Sequence, residues 1–95
     1  MDPLDSRPRP RDDLAARSIA GEAVVVTPAD SKVHELDPVA TFVFERCDGE
    51  RSGHDLVRLL LEAFEVAPDV AERDVALLLR TFAERGLVEL LPPKA

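Results

Sequence analysis

The hydrophobic period of the chain changes at Asp37-Pro38. Before that point, short apolar runs are broken by turn residues. An Arg17 to Ile19 stretch meets Ala20-Gly21-Glu22, the β-branched run Ala23 to Thr27 follows, and Pro28, Asp30 and Ser31 turn the chain into the alternating segment Lys32 to Leu36. After it, apolar residues recur at helical spacing as far as Gly86. Strands first and helices afterwards predict an α+β domain, a three-stranded antiparallel meander followed by three helices.

Asp37 is placed to cap the first helix and Pro38 suits its first turn, so that helix is expected from Pro38 to about Cys47. Its near-continuous apolar sequence puts it at the centre of the core. Ser52 with Asp55 resembles a capping box for a second helix carrying Leu56, Val57, Leu59, Leu60, Ala63 and Phe64. Pro68 opens the third helix, Gly86 closes it, and Leu87 to Leu91 forms a final strand or an extended tail before Pro92-Pro93. The expected core joins Phe42, Val43, Leu56, Leu60, Val75, Leu79 and Phe82. By contrast, the first thirteen residues hold three prolines, four acids, three arginines and a single Leu, and residues 1–15 are expected to be a flexible tail, leaving 16–91 as the domain.

Leu, Val, Ile and Phe make up 29 of 95 residues, enough for a packed core but, at this length, not for a deeply enclosed active site. A formal charge of -7 argues against nucleic acid. The third helix sets Arg73, Arg80 and Arg85 against Asp69, Glu72, Asp74 and Glu84, so a winged-helix DNA-binding protein is the alternative that charge disfavours. No uncharged stretch exceeds seven residues, so neither a membrane span nor a signal-peptide core is expected, and the cytoplasm is the expected compartment. Ser52, His54 and Asp55 have the residue types of a triad but crowd one helix start, where they cannot converge on a substrate. Cys47 reads as a small buried hydrophobe, and the two histidines show no ligand spacing. No catalytic residue, metal or cofactor is expected.

The third helix has more apolar surface than one core requires. At 100° per residue, Ala71, Val75, Leu78, Leu79 and Phe82 form the core stripe, while Val70 and Leu77 widen the apolar arc to about 200°. Val70, Asp74, Leu77 and Thr81 make a second ridge, which periodicity assigns equally well to the chain's own sheet or tail and to a ligand groove.

Leu36-Asp37 followed by Ala40, then Cys47-Asp48-Gly49, Ser52 with Leu56, Asp74-Val75 with Leu78 and Phe82, and Gly86-Leu87-Val88 together resemble the PqqD-like family over about Arg17 to Leu90. The resemblance implies a RiPP recognition element, a winged helix-turn-helix-like fold with three strands before three helices. It further implies a peptide chaperone that binds the leader of a ribosomally made precursor and presents it to a modifying enzyme, commonly a radical SAM protein. In such domains the leader adds to the sheet between the third strand and the third helix, which here implies Lys32, Val33, His34, Glu35 and Leu36 facing Asp74, Leu77, Leu78 and Thr81. A free strand edge also suits homodimerisation, and an adaptor without a peptide ligand is a further alternative. The sequence departs from the family at Gly53-His54, where an apolar and an acidic residue are more usual, and at His34, where a larger apolar residue is often found.

Overall fold

The computed structural model describes residues 1–94. Five strands and three helices follow in the order β1 (Arg7–Pro10), β2 (Ala15–Ile19), β3 (Glu22–Thr27), β4 (Lys32–Glu35), α1 (Pro38–Glu45), α2 (Gly53–Ala63), α3 (Pro68–Glu84) and β5 (Val88–Leu91). The expected meander is present as an antiparallel sheet ordered β2-β3-β4, with Arg17 opposite Val24 and Val25 opposite His34. The β2–β3 hairpin turns on Ala20 and Gly21, both at positive φ (54° and 80°), the geometry that a two-residue turn requires to match the strand twist. At the next turn the Thr27 hydroxyl bonds the Asp30 carboxylate, which also accepts the Lys32 N–H at 3.3 Å.

α1 and α2 start where their caps predict, and α3, which has no side-chain cap, starts at Pro68. Asp37 Oδ1 accepts the Ala40 N–H at 2.8 Å. Ser52 and Asp55 form a reciprocal capping box, Ser52 Oγ accepting the Asp55 N–H at 3.1 Å and Asp55 Oδ2 accepting the Ser52 N–H at 2.9 Å. Gly86, at φ 73°, ends α3 and lets Leu87 N–H donate back to the Phe82 carbonyl at 2.8 Å.

Val43, Leu56, Leu60, Val75, Leu79 and Phe82 are buried together with Val25, Phe44, Ala71 and Leu87. Phe42 differs from the expectation. It is half-buried at the margin, edge-on to Phe64 with centroids 5.3 Å apart and with the Arg46 guanidinium 3.6 Å from its ring centre. Phe44 takes the interior place, edge-on to Phe82 at 5.6 Å. Residues two apart lie about 200° apart around a helix, so only one of the two can face the core.

The larger correction concerns residues 1–15. Residues 3–10 are not a flexible tail but part of the domain. Pro3–Asp5 form a single 3-10 turn, and β1 pairs antiparallel with β5, Arg7 opposite Leu91 and Pro10 opposite Val88. Leu4, Ser6 and Pro8 are buried. Gly49 N–H donates to the Pro8 carbonyl at 2.8 Å and Gly53 N–H to the Ser6 carbonyl at 3.0 Å. Arg7 donates from Nη1 to the Gly49 carbonyl and from Nε to the Pro92 carbonyl, each at 2.8 Å. In a two-stranded ribbon, the prolines at positions 8 and 10 need only turn their missing donors away from the partner strand, so they do not prevent pairing.

Cys47 lies in this core, its thiol donating to the Val43 carbonyl at 3.3 Å. Burial, with the neighbouring Asp48 charge adding to it, pushes the thiol up to about 12. Reaction of the native protein with an aromatic disulfide reagent at pH 8 is therefore expected to be on the order of a thousandfold slower than that of a free cysteine, which sits near 8.5. Full reactivity returns in denaturant. Prompt native labelling would contradict the buried placement.

Candidate functional site: a free strand edge beside helix α3

β4 is bonded on one side only. The Leu36 N–H donates to the Ala23 carbonyl at 2.9 Å, so Leu36 addresses β3, while the Ala23 N–H donates to the Thr41 hydroxyl at 2.8 Å. Main-chain groups alternate in direction along an antiparallel strand, so His34 and Lys32 also address β3 while the N–H and C=O of Val33 and Glu35 point to the free edge. His34 is thus not a main-chain donor to a partner on that edge. The side chains divide the other way. His34, 8% exposed, and Leu36 face inward on the Val25 side, and the Nε2 of His34 is buried without a hydrogen-bond partner. Lys32, Val33 and Glu35 are exposed.

On α3, Leu77 is 61% exposed, Asp74 is exposed, and Leu78 and Thr81 are half-buried. Within the expected ridge, Asp74 and Leu77 are therefore open to solvent, while Val70 and Thr81 are half-buried. Asp74, Leu77 and Leu78 line a cavity of about 300 Å³ with Asp37 and Val39, the residues that lead from β4 into α1. Of the nine residues expected at the site, these three α3 residues are brought together in one cavity. Lys32 to Leu36 form the strand edge beyond it, and Thr81 stands one turn along the helix, outside its lining. Asp37 and Val39 were assigned only to cap and core. Their signal was positional, since both lie directly after β4, where the chain passes from the sheet into α1.

Two larger hollows lie elsewhere. One of about 640 Å³ between β1, β5 and the end of α3 is lined by charges that pair with one another, Arg9 with Glu89 at 3.0 Å and Arg11 with Asp13 at 3.3 Å. Another of about 500 Å³ lies under the β2–β3 hairpin, between Ala16, Ser18 and the Phe44 to Cys47 end of α1. Neither is lined by residues of the β4–α1 junction, which reach only the α3 cavity.

The residues with triad chemistry have structural roles. Ser52 and Asp55 cap α2, and backbone hydrogen bonding from Ser52 together with Arg58 holds the Asp55 carboxyl below its ordinary value. His54 Nε2 lies 2.9 Å from Asp5 Oδ1 and ties α2 to the N-terminal turn. Among the described residues, no three His, Cys, Asp or Glu side chains are grouped so as to hold a metal ion, and no helix is long and apolar enough to cross a membrane.

The same architecture occurs in solved structures. TbiB1 in complex with the TbiA(beta) leader peptide is 21% identical, with 85% of this chain and 94% of that one covered and a TM-score of 0.78. A lasso peptide synthetase B1 complexed with its leader peptide is 23% identical, over 88% and 99%, also at 0.78. The solution structure of the PqqD truncation of PqqCD from Methylobacterium extorquens, a stand-alone RiPP recognition element, is 21% identical over 94% and 99%, at 0.70. These likenesses show the fold. No curated protein matches the chain. Residues 22–88, from the start of β3 through all three helices to the first residue of β5, match the model of the family described as coenzyme PQQ synthesis protein D, and the chain belongs to that PqqD family.

Proposed function

We propose that this domain binds the leader segment of a ribosomally made precursor peptide as an added strand on β4, with an apolar leader side chain seated against Leu77 and Leu78. It would then present the peptide to a modifying enzyme, for which a radical SAM protein is the first candidate. The observation that carries this reading is the cavity that Asp37 and Val39, which follow the unpaired β4 edge, form with Asp74, Leu77 and Leu78 of α3. Unpaired edges and exposed apolar groups are liabilities that a fold normally covers, and an extended peptide covers both at once. The leader complexes of TbiB1 and of the lasso peptide synthetase B1 share this fold.

The magnitudes are adequate. The N–H and C=O groups of Val33 and Glu35 offer four main-chain hydrogen bonds, at about 0.5–1.5 kcal/mol net each. The apolar anchor, and any second apolar side chain on the same face of the leader, add about 1.5–3 kcal/mol each. These gains must exceed an association cost of at least about 4 kcal/mol together with the ordering of a disordered leader. Micromolar binding is the scale that follows. A homodimer through β4 would occupy the same edge, so leader binding and such dimerisation should compete.

Leu77→Asp tests the reading, because it puts a charge against the anchor while Leu77 takes no part in the buried core. In an amide chemical-shift titration with leaders encoded beside this gene, the substitution is expected to lower affinity at least about tenfold with the denaturation midpoint unchanged. Perturbations in the parent protein should centre on Val33, Glu35 and Asp74 to Thr81. Shifts confined to α2 or to residues 1–10 would overturn the site.

A further inference from the structure

The groove has a charge as well as a shape. Asp37 and Asp74 share a cavity whose other lining residues, Val39, Leu77 and Leu78, are apolar. Asp37 uses one carboxylate oxygen, Oδ1, to cap α1. Among the described residues, Asp74 has no hydrogen-bond or ion-pair partner at all. The nearest α3 cation in sequence, Arg73, points 100° further round the helix and lies 3.9 Å from Asp69. Arg85 shares the Asp74 face but stands about 16 Å further along the helix, and Lys32 is about 16 Å from Asp37 along the strand. Both separations exceed the screening length of about 8–10 Å at physiological salt. Neither Asp37 nor Asp74 has an ion-pair partner among the described residues, so this end of the groove presents two carboxylates.

We propose, resting on the leader-binding reading above, that the docked peptide carries a Lys or Arg two residues from its apolar anchor, and that Asp74 selects it. The spacing supports this. Asp74 and Leu77 lie one turn apart on the helix surface, about 5–6 Å between their Cβ atoms. On an extended peptide, side chains two residues apart share a face and are separated by about 6.5–7 Å. An anchor against Leu77 and Leu78 thus brings its second neighbour over Asp74, where a cation gains a partner and an acid meets two carboxylates. Such a pair contributes selectivity rather than the bulk of affinity, because both partners keep contact with water.

The probes are end-blocked twelve-residue peptides of Thr and Val with one central Leu. They carry Lys, Gln or Glu at both positions two residues from the Leu, and a fourth peptide carries the same lysines one residue from it. At low salt the Lys peptide is expected to bind about 2- to 5-fold tighter than the Gln peptide and the Glu peptide to bind more weakly than either. Asp74→Asn should bring the ratio of Lys to Gln affinity to about one, and moving the lysines by one residue should do the same. Equal binding of the Lys and Gln peptides, or a preference that survives Asp74→Asn, would overturn the inference, the latter because it reports only attraction to the net charge of -7. If the peptides shift the amides of Val33, Glu35 and Asp74 to Thr81 without any such preference, this inference alone fails. If none shifts them, the leader-binding reading fails with it.

Discussion

Replacing Phe82 by Ala is expected to lower the stability of the domain by about 3–5 kcal/mol, which for a chain of this size is about a fifth of the total or more. Phe82 is 1% exposed, meets Phe44 edge-on, and shares the interior with Val75 and Leu79 from its own helix. Its carbonyl also accepts the Leu87 N–H that starts the return toward β5. The substitution removes the ring but not that bond, so the expected loss is one of transfer and cavity rather than of backbone structure. Phe42→Ala provides the internal comparison. Phe42 is half-buried, with one ring face under Arg46, and should cost markedly less. Denaturant midpoints of the two variants check the ranking, and equal losses would mean that α1 presents a different face to the core.

That comparison also shows where the sequence was legible and where it was not. The helices could be read from their starts because caps and helical periodicity are local, and Asp37, Ser52, Pro68 and Gly86 each act within one turn of their own position. Within α1, periodicity had nothing to work on. Val39, Phe42, Val43 and Phe44 are all apolar, and the choice between Phe42 and Phe44 was made by α3 through the Phe82 ring. β1 was illegible for a different reason. Arg7 to Pro10 has neither strand propensity nor an apolar face, and its order comes from Val88 to Leu91, some eighty residues away in sequence. The groove was half legible. Excess apolar arc marked Leu77, but the cavity is completed by Asp37 and Val39, whose local patterns spoke only for a cap and a core.

Gly53 supplies the second large effect and explains the departure of Gly53-His54 from the family pattern. A Cβ built on Gly53 would lie 2.5 Å from Leu4 Cα, 2.8 Å from the Pro3 carbonyl oxygen and 2.9 Å from that of Leu4. All three are backbone atoms, which cannot swing aside as a side-chain tip could. Only glycine lets the N-terminal turn approach the start of α2 this closely, and His54 then reaches Asp5 while the Gly53 N–H bonds Ser6. In an isolated helix, Ala in place of Gly would be stabilising by about 1 kcal/mol. Here the close approach reverses the sign. Gly53→Ala is expected to destabilise by about 3 kcal/mol, the upper range for forced overpacking, as residues 3–10 are pushed off and the burial of Leu4 and the β1–β5 pairing are lost with them. Amide exchange separates this from a general weakening. Protection should fall first at Arg7, Arg9, Glu89 and Leu91, while Val25, Leu60 and Leu79 retain theirs relative to the new global stability. A Gly53→Ala protein as stable as the parent, or more so, would show that the N-terminal segment does not dock on α2, and residues 1–15 would return to being a tail.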